Sequence, residues 1–163
     1  MSEDKIKEVL RRMPYGWYVV TSRNGEDANA MVANWITQVS FEPRLLAFGL
    51  QKTSYSYGLV NQGRVFSVNL FLKEDQEIVK SFSKSRDKNA AKMDNVKYSA
   101  APETGCPIID GAAAYLECRV KEIYDFGGDH NIILGEVVGA GNMKDGEDKD
   151  SLTLPTVGWH YAG

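Results

Sequence analysis

From Ala28 to Phe41 the chain carries no charged side chain, yet Asn34, Thr37, Gln38 and Ser40 stand inside that run. A long uncharged stretch predicts burial. Buried hydrogen-bonding groups left without partners cost roughly 1–3 kcal/mol each, so any fold adopted by this chain has to provide for them. An Asn24-Gly25 turn signal precedes the stretch and Phe41-Glu42-Pro43 follows it, which predicts one strand over residues 30–40. Its polar groups allow two readings: a strand whose polar side meets solvent or neighbouring loops, or the edge of a ligand site. A charge-free polar lining suits a neutral heterocycle better than a phosphate.

The flanking segments set the fold class. Residues 2–13 predict a short amphipathic helix, with Ser2 as cap, Glu3 and Asp4 in its first turn, and Ile6, Val9, Leu10 and Met13 as its apolar stripe. Residues 16–22, 44–51, 64–71, 112–124 and 131–140 are rich in β-branched and aromatic residues and predict further strands. A short helix capped by Thr53 or Ser54 and closed by Gly63 is predicted between two of them. Another, over 73–84, turns Ile78, Val79 and Phe82 inward, and 86–101 predicts a short helix with loop. Roughly six strands interrupted by short helices argue against a doubly wound parallel sheet. They favour an all-β, closed or partly closed antiparallel barrel, because closure removes exposed edges. With 163 residues, the whole span 1–163 reads as a single domain.

Several chemistries are disfavoured. A net charge of −3 gives no basic stripe for nucleic acid. The two cysteines form no CxxC pair and no cluster with histidine, so no metal site is expected. The charged N-terminus carries no signal-peptide pattern and no apolar run reaches about 18 residues, which makes the cytoplasm the expected location. There is no Walker loop, HExxH, GxSxG, paired catalytic carboxylates or Rossmann glycine pattern. An enzyme of this composition would depend on a cofactor for its chemistry. Lys52, Ser54 and Ser56 at a helix start offer a cation, hydroxyls and free N–H groups for a phosphate, or else one solvated lysine beside a capped helix. His130 reads as a ligand-facing side chain or an exposed loop histidine. Trp159, His160 and Tyr161 read as an aromatic cluster or a lid. Cys118 is expected in the core and Cys106 in an exposed turn.

Four segments taken in order, "YGWYVVTSRNGEDANAMVANWITQVSFEPRLLAFGL", Lys52–Ser56 followed by "GRVFSVNLF", "AAAYLECRV" and "GDHNIILGEVV", resemble the flavin reductase-like family over about residues 15–161. The resemblance implies a six-stranded antiparallel Greek-key FMN-binding split barrel, usually a homodimer, holding FMN or FAD noncovalently. It implies that Asn34, Trp35, Ile36 and Thr37 border the flavin ring and that Ser40 lies towards its tail. Lys52, Ser54 and Ser56 would hold its phosphate, and Trp159 and Tyr161 would pack near the ring or the dimer seam. His130 is the implied catalytic residue, orienting the hydride donor, NADH or NADPH, or assisting protonation. Three functions are implied: an NAD(P)H:flavin oxidoreductase, an electron carrier between redox protein partners (to which the Asn-Trp variant of the polar strand is closer), and a non-catalytic flavin-binding module. From charge and the lack of a long apolar run, neither nucleic acid nor membrane is expected as a partner.

Overall fold

The computed structural model describes residues 2–159. In chain order its regular elements are α1 (Glu3–Leu10), β1 (Tyr18–Asn24), β2 (Asp27–Ala33), β3 (Ile36–Ser40), β4 (Leu45–Gln51), α2 (Tyr55–Gly63), β5 (Val65–Leu70), α3 (Gln76–Lys80), β6 (Tyr98–Ala100), β7 (Pro107–Ile109), β8 (Ala114–Tyr124) and β9 (His130–Asn142). Seven strands form one sheet in the order β2-β1-β5-β8-β9-β4-β3, and β6 and β7 form a separate ribbon. Every neighbouring pair is antiparallel.

The single strand expected over 30–40 is in fact two. β2 pairs with β1 and β3 pairs with β4, so the chain crosses from one edge of the sheet to the other between Ala33 and Ile36. Seven strands leave six gaps, and at about 4.8 Å per gap a flat sheet would hold its edges about 29 Å apart. Three peptide steps span at most about 11 Å. The sheet therefore curls until its edges meet at Asn34 and Trp35, and the barrel is split beyond that point. This explains why six strands were expected where seven are found: the break falls inside an uninterrupted β-like sequence, with no glycine or proline to mark it.

Alternation along β1 feeds two cores. Val20 joins Phe48, Leu50, Phe66, Val68, Cys118 and Ile133 in one cluster. Val19 faces the other way, into Trp17, Phe71, Val79, Phe82, Leu152 and Leu154, which pack beneath α3 and the C-terminal turn. Val79 and Phe82 are buried as expected, and Ile78 is half-buried. Four expectations change. Cys106 is fully buried rather than exposed, because the β6–β7 ribbon folds over its turn. The stretch 37–39 is exposed rather than buried, because β3 is an edge strand. No helix forms between residues 86 and 97, where turns lead into β6. The stripe of α1 faces outward, and no residue of that helix is buried.

Helix α2 begins as predicted, with Ser54 Oγ accepting from the Tyr57 N–H at 3.2 Å. Its end differs in detail. The left-handed residue is Arg64, at φ 59°. Gly63 is required for another reason: a Cβ there would sit 1.9 Å from the carbonyl oxygen of Arg23 in β1. Gly63→Ala should therefore force α2 away from the barrel and lower stability by about 2–3 kcal/mol in urea unfolding. An unchanged midpoint would show that this helix–strand contact is looser than described.

Candidate functional site

The break between β2 and β3 is also where polar and aromatic groups gather. Asn34 and Trp35 line a cavity of about 240 Å³ together with Trp17, Gln51, His130 and Trp159. Trp35 is held there by its backbone, whose carbonyl accepts from the Gly49 N–H at 2.9 Å. A Cβ on Gly49 would come within 3.3 Å of the Trp35 side chain, so glycine lets the indole lie close on β4. The pairing of β4 with β9 sets Gln51 opposite His130. The His130 ring lies 4.8 Å from the Trp35 ring at 58°. Its Nδ1 is 2.7 Å from Asp129 Oδ1, and that contact holds the Asp129 carboxyl below its ordinary pKa. Trp17 and Trp159 meet edge to face at 5.1 Å.

A second chamber of about 270 Å³ shares Met31, Val32, Gln51 and Ser83 with the first, so the two form one trench. Ser54 and Ser56 at the start of α2 line it, as do Lys84, Ser85, Arg86 and Lys92 from the loop after α3. Asn29 donates through Nδ2 to Ser56 Oγ at 2.9 Å, while its Oδ1 is buried without a hydrogen-bond partner. Lys92 is 9% exposed and donates to the Phe82 carbonyl at 2.9 Å. Burial, and then the charge of Arg86, lower its pKa to about 8. Arg86 donates to the Ala28 carbonyl at 2.8 Å, lies 3.7 Å from Asp27 Oδ1, and sits 4.8 Å over the Tyr55 ring. Tyr55 in turn hydrogen-bonds Asp27.

The sequence-predicted residues divide. Asn34, Trp35, His130 and Trp159 share the first chamber, and Ser54 and Ser56 the second. Lys52 lines neither. Its Nζ donates to Asp125 Oδ1 at 2.7 Å, which together with the Gly127 N–H draws the Asp125 carboxyl below its ordinary pKa. Ile36 packs against the barrel core. Thr37 and Ser40 run along the open edge of β3, away from both chambers. There Thr37 Oγ1 donates to the Gln38 carbonyl at 3.4 Å and Gln38 Nε2 to the Ser40 carbonyl at 3.1 Å. Tyr161 lies outside the described residues. Sequence reasoning missed Trp17, Gln51, Arg86, Lys92 and the serines of the second chamber's loop. The alternation Ser83-Lys84-Ser85-Arg86 was a visible signal, but it matches an ordinary solvated loop until Arg86 and Lys92 are seen folded inward.

The trench joins an aromatic slot with a hydrogen-bonding edge to a cationic chamber rich in hydroxyls. It suits a heteroaromatic ring with a phosphate tail. The unpartnered Asn29 oxygen and a buried lysine with no carboxylate within 4.0 Å among the described residues are groups that such a ligand would complete.

Comparison with known proteins agrees with this chemistry. Residues 10–160 match the flavin reductase-like domain. The chain is 32% identical over 137 residues to an NADH-dependent FAD reductase of Streptomyces globisporus, covering 83% of this chain and 74% of that protein. It is 31% identical to a putative diflavin flavoprotein of Nostoc, where it covers 96% of this chain but only 27% of the longer relative. Among solved structures it is similar to the NADH:FAD oxidoreductase of Streptomyces globisporus C-1027 in complex with NAD and FAD fragments. That likeness has a TM-score of 0.76 and 29% identity, over 87% of this chain and 83% of the other.

The buried lysine makes a prediction about stability. Between pH 8 and the pKa of an unfolded lysine, the unfolded chain keeps a proton that folded Lys92 has lost, so the Lys92 contribution to stability rises with pH. Cys106 and Cys118, pushed up to about 11 and 12 by burial, act the other way at higher pH. Comparing the wild type with Lys92→Met removes their effect. The stability of the variant relative to the wild type should fall by on the order of 1–3 kcal/mol from pH 7.5 to pH 10. A difference that stays constant with pH would contradict the buried-cation reading.

Proposed function

The chain belongs to the flavin reductase-like domain family, and from that premise we propose that it passes electrons from NADH or NADPH to a flavin held in the trench. The observation that carries this reading is the juxtaposition of the aromatic slot at Asn34, Trp35 and His130 with the cationic chamber at Ser54, Ser56, Arg86 and Lys92. When bound, the flavin supplies the redox chemistry, taking a hydride from the reduced nicotinamide and passing electrons onward.

The protein's own work is binding and orientation. Trp35 provides an apolar surface for one face of a ring, and Asn34 and Gln51 provide amides at its edge. The N-terminus of α2, with Ser54 and Ser56, and the cations Arg86 and Lys92 would receive the phosphate. Lys52, paired with Asp125, would act on the phosphate only by leaving that partner. Ile36 would support Trp35 from the core, whereas Thr37 and Ser40 would reach a ligand only through the open edge of β3. His130, held by Asp129, would orient the nicotinamide. Stacking of two held rings makes their reaction effectively unimolecular, so no protein nucleophile is needed.

FMN is the proposed flavin, its single phosphate meeting the cations that line the second chamber; FAD is the alternative. A homodimer is also proposed. Val39 on β3, Phe41 just after it, and Tyr124, Phe126 and Ile132 on the β8–β9 hairpin are exposed, with Tyr124 and Phe126 stacked at 6.0 Å. Sedimentation at micromolar concentration should give twice the 18.1 kDa chain mass, and a monomer would refute the dimer. A second reading, electron carriage between redox proteins, is favoured by the match to one quarter of a larger diflavin flavoprotein.

Mixed anaerobically with FMN and NADH or NADPH, the protein should bleach the visible flavin band catalytically. Lys92→Met should weaken FMN about tenfold or more while changing riboflavin affinity little, since only FMN presents a phosphate to the cation. His130→Ala should lower turnover more than flavin affinity. Flavin retained through desalting and reduced only by a protein donor would favour the carrier; no bleaching by either nicotinamide and no flavin bound would refute both readings.

A further inference from the structure

The trench continues past Trp159. On the far side of Leu154 and Trp159, which it shares with the first chamber, lies a third hollow of about 280 Å³ lined by Arg11, Arg12, Tyr15 and Pro155. Backbone bonds tie its two walls together. Leu154 N–H donates to the Tyr15 carbonyl at 2.9 Å, Trp17 N–H donates to the Leu152 carbonyl at 3.3 Å, and Gly16 bridges Thr153. The Tyr15 and Leu154 sides of the hollow are thus fixed to each other by the fold. Its lining combines two arginines with aromatic and proline surface.

The three compartments lie in a fixed order. The cationic chamber shares walls with the ring chamber at Met31, Val32, Gln51 and Ser83, and the arginine hollow shares a different pair, Leu154 and Trp159. A flavin whose phosphate occupies the first of these leaves the Trp159 side as a separate way out. A nicotinamide dinucleotide that brings its ring onto the flavin has to lead its other half somewhere. That half is an adenine ring bearing phosphates, which calls for flat apolar walls and cations with fork geometry.

We propose that the hollow at Arg11, Arg12 and Trp159 seats the adenylate half of the nicotinamide dinucleotide, with the two arginines on its phosphate groups. The proposal rests on the flavin reductase reading and adds the location of the electron donor. Glu8 competes for one of these cations: its carboxylate binds Arg12 at 3.2 Å, and also Lys5 at 3.1 Å. Such an exposed pair holds its partners weakly, so a phosphate can draw Arg12 away. NADPH, with its additional 2′-phosphate, gains more from the pair than NADH does.

The test uses FMN-loaded protein and compares the wild type with the double variant Arg11→Gln/Arg12→Gln. Titration with adenosine 2′,5′-bisphosphate, read by calorimetry and by Trp fluorescence, should give a dissociation constant about tenfold higher in the variant. In turnover, KM for NADPH should rise by about the same factor, KM for NADH should rise less, and KM for reduced nicotinamide mononucleotide, which lacks the adenylate half, should not move. kcat should stay within about twofold of the wild type, because the nicotinamide contacts are untouched. Equal bisphosphate binding in the two proteins, or equal loss for NADPH and the mononucleotide, would overturn the proposal. A wild type that reduces flavin with a KM indifferent to these arginines would refute the seat alone. One that binds the bisphosphate through the arginines yet oxidises no nicotinamide would refute the reductase reading and leave an adenylate site.

Discussion

The connection through Asn34 and Trp35 is the constraint on which the rest of the structure depends. It joins the two outermost strands of a seven-stranded sheet with only two residues between them. A chain that short cannot bridge a flat sheet, so the sheet rolls. Rolling gives the barrel its inner core around Phe48, Phe66 and Ile133. At the point of closure the ladder is interrupted, and that interruption makes room for a ligand. The residues that close the barrel are therefore also the ones that line its cavity.

A second principle operates in the loop after α3. Arg86 and Lys92 are drawn inward and anchored to the carbonyls of Ala28 and Phe82, where burial first and the charge of Arg86 second lower the pKa of Lys92. Crowding like charges in a half-enclosed chamber has a folding cost that an anion there would offset. Folding energy holds these two cations in position, as the proposed phosphate site would require. By contrast, Lys52 is neutralised by Asp125 at the surface, a resting arrangement that costs little and prepares less.

Along the trench, charge is confined to the ends and the middle is neutral. Arg86 and Lys92 stand at one end, Arg11 and Arg12 at the other, and Trp17, Trp35, Asn34 and Gln51 between them. A neutral, aromatic middle suits two stacked rings, and cationic ends suit their phosphate-bearing tails. This distribution accounts for the absence of acid–base machinery in the sequence: the chain supplies surfaces and charges, and the redox chemistry comes from what it binds.

Local pattern in the sequence was enough to identify the strands as β-structure, the start of α2 at Ser54 and the polar character of Asn34. It also marked the overall antiparallel class and, through its order of segments, the family. The strands, the helix start and the polar residue depend on neighbours a few residues apart, the range over which periodic pattern carries information, and the family on the order of such segments along the chain. What only the tertiary structure decided is how distant segments meet. The split of residues 30–40 into opposite sheet edges follows from pairing with β1 and β4, not from its own composition. Thr37 and Ser40 lie outside the trench and Arg86 and Lys92 within it because strand pairing and loop closure, rather than residue type, determine which polar groups leave water. A serine, a lysine or an arginine is equally at home on a surface, and only the folded chain can make burying one worthwhile.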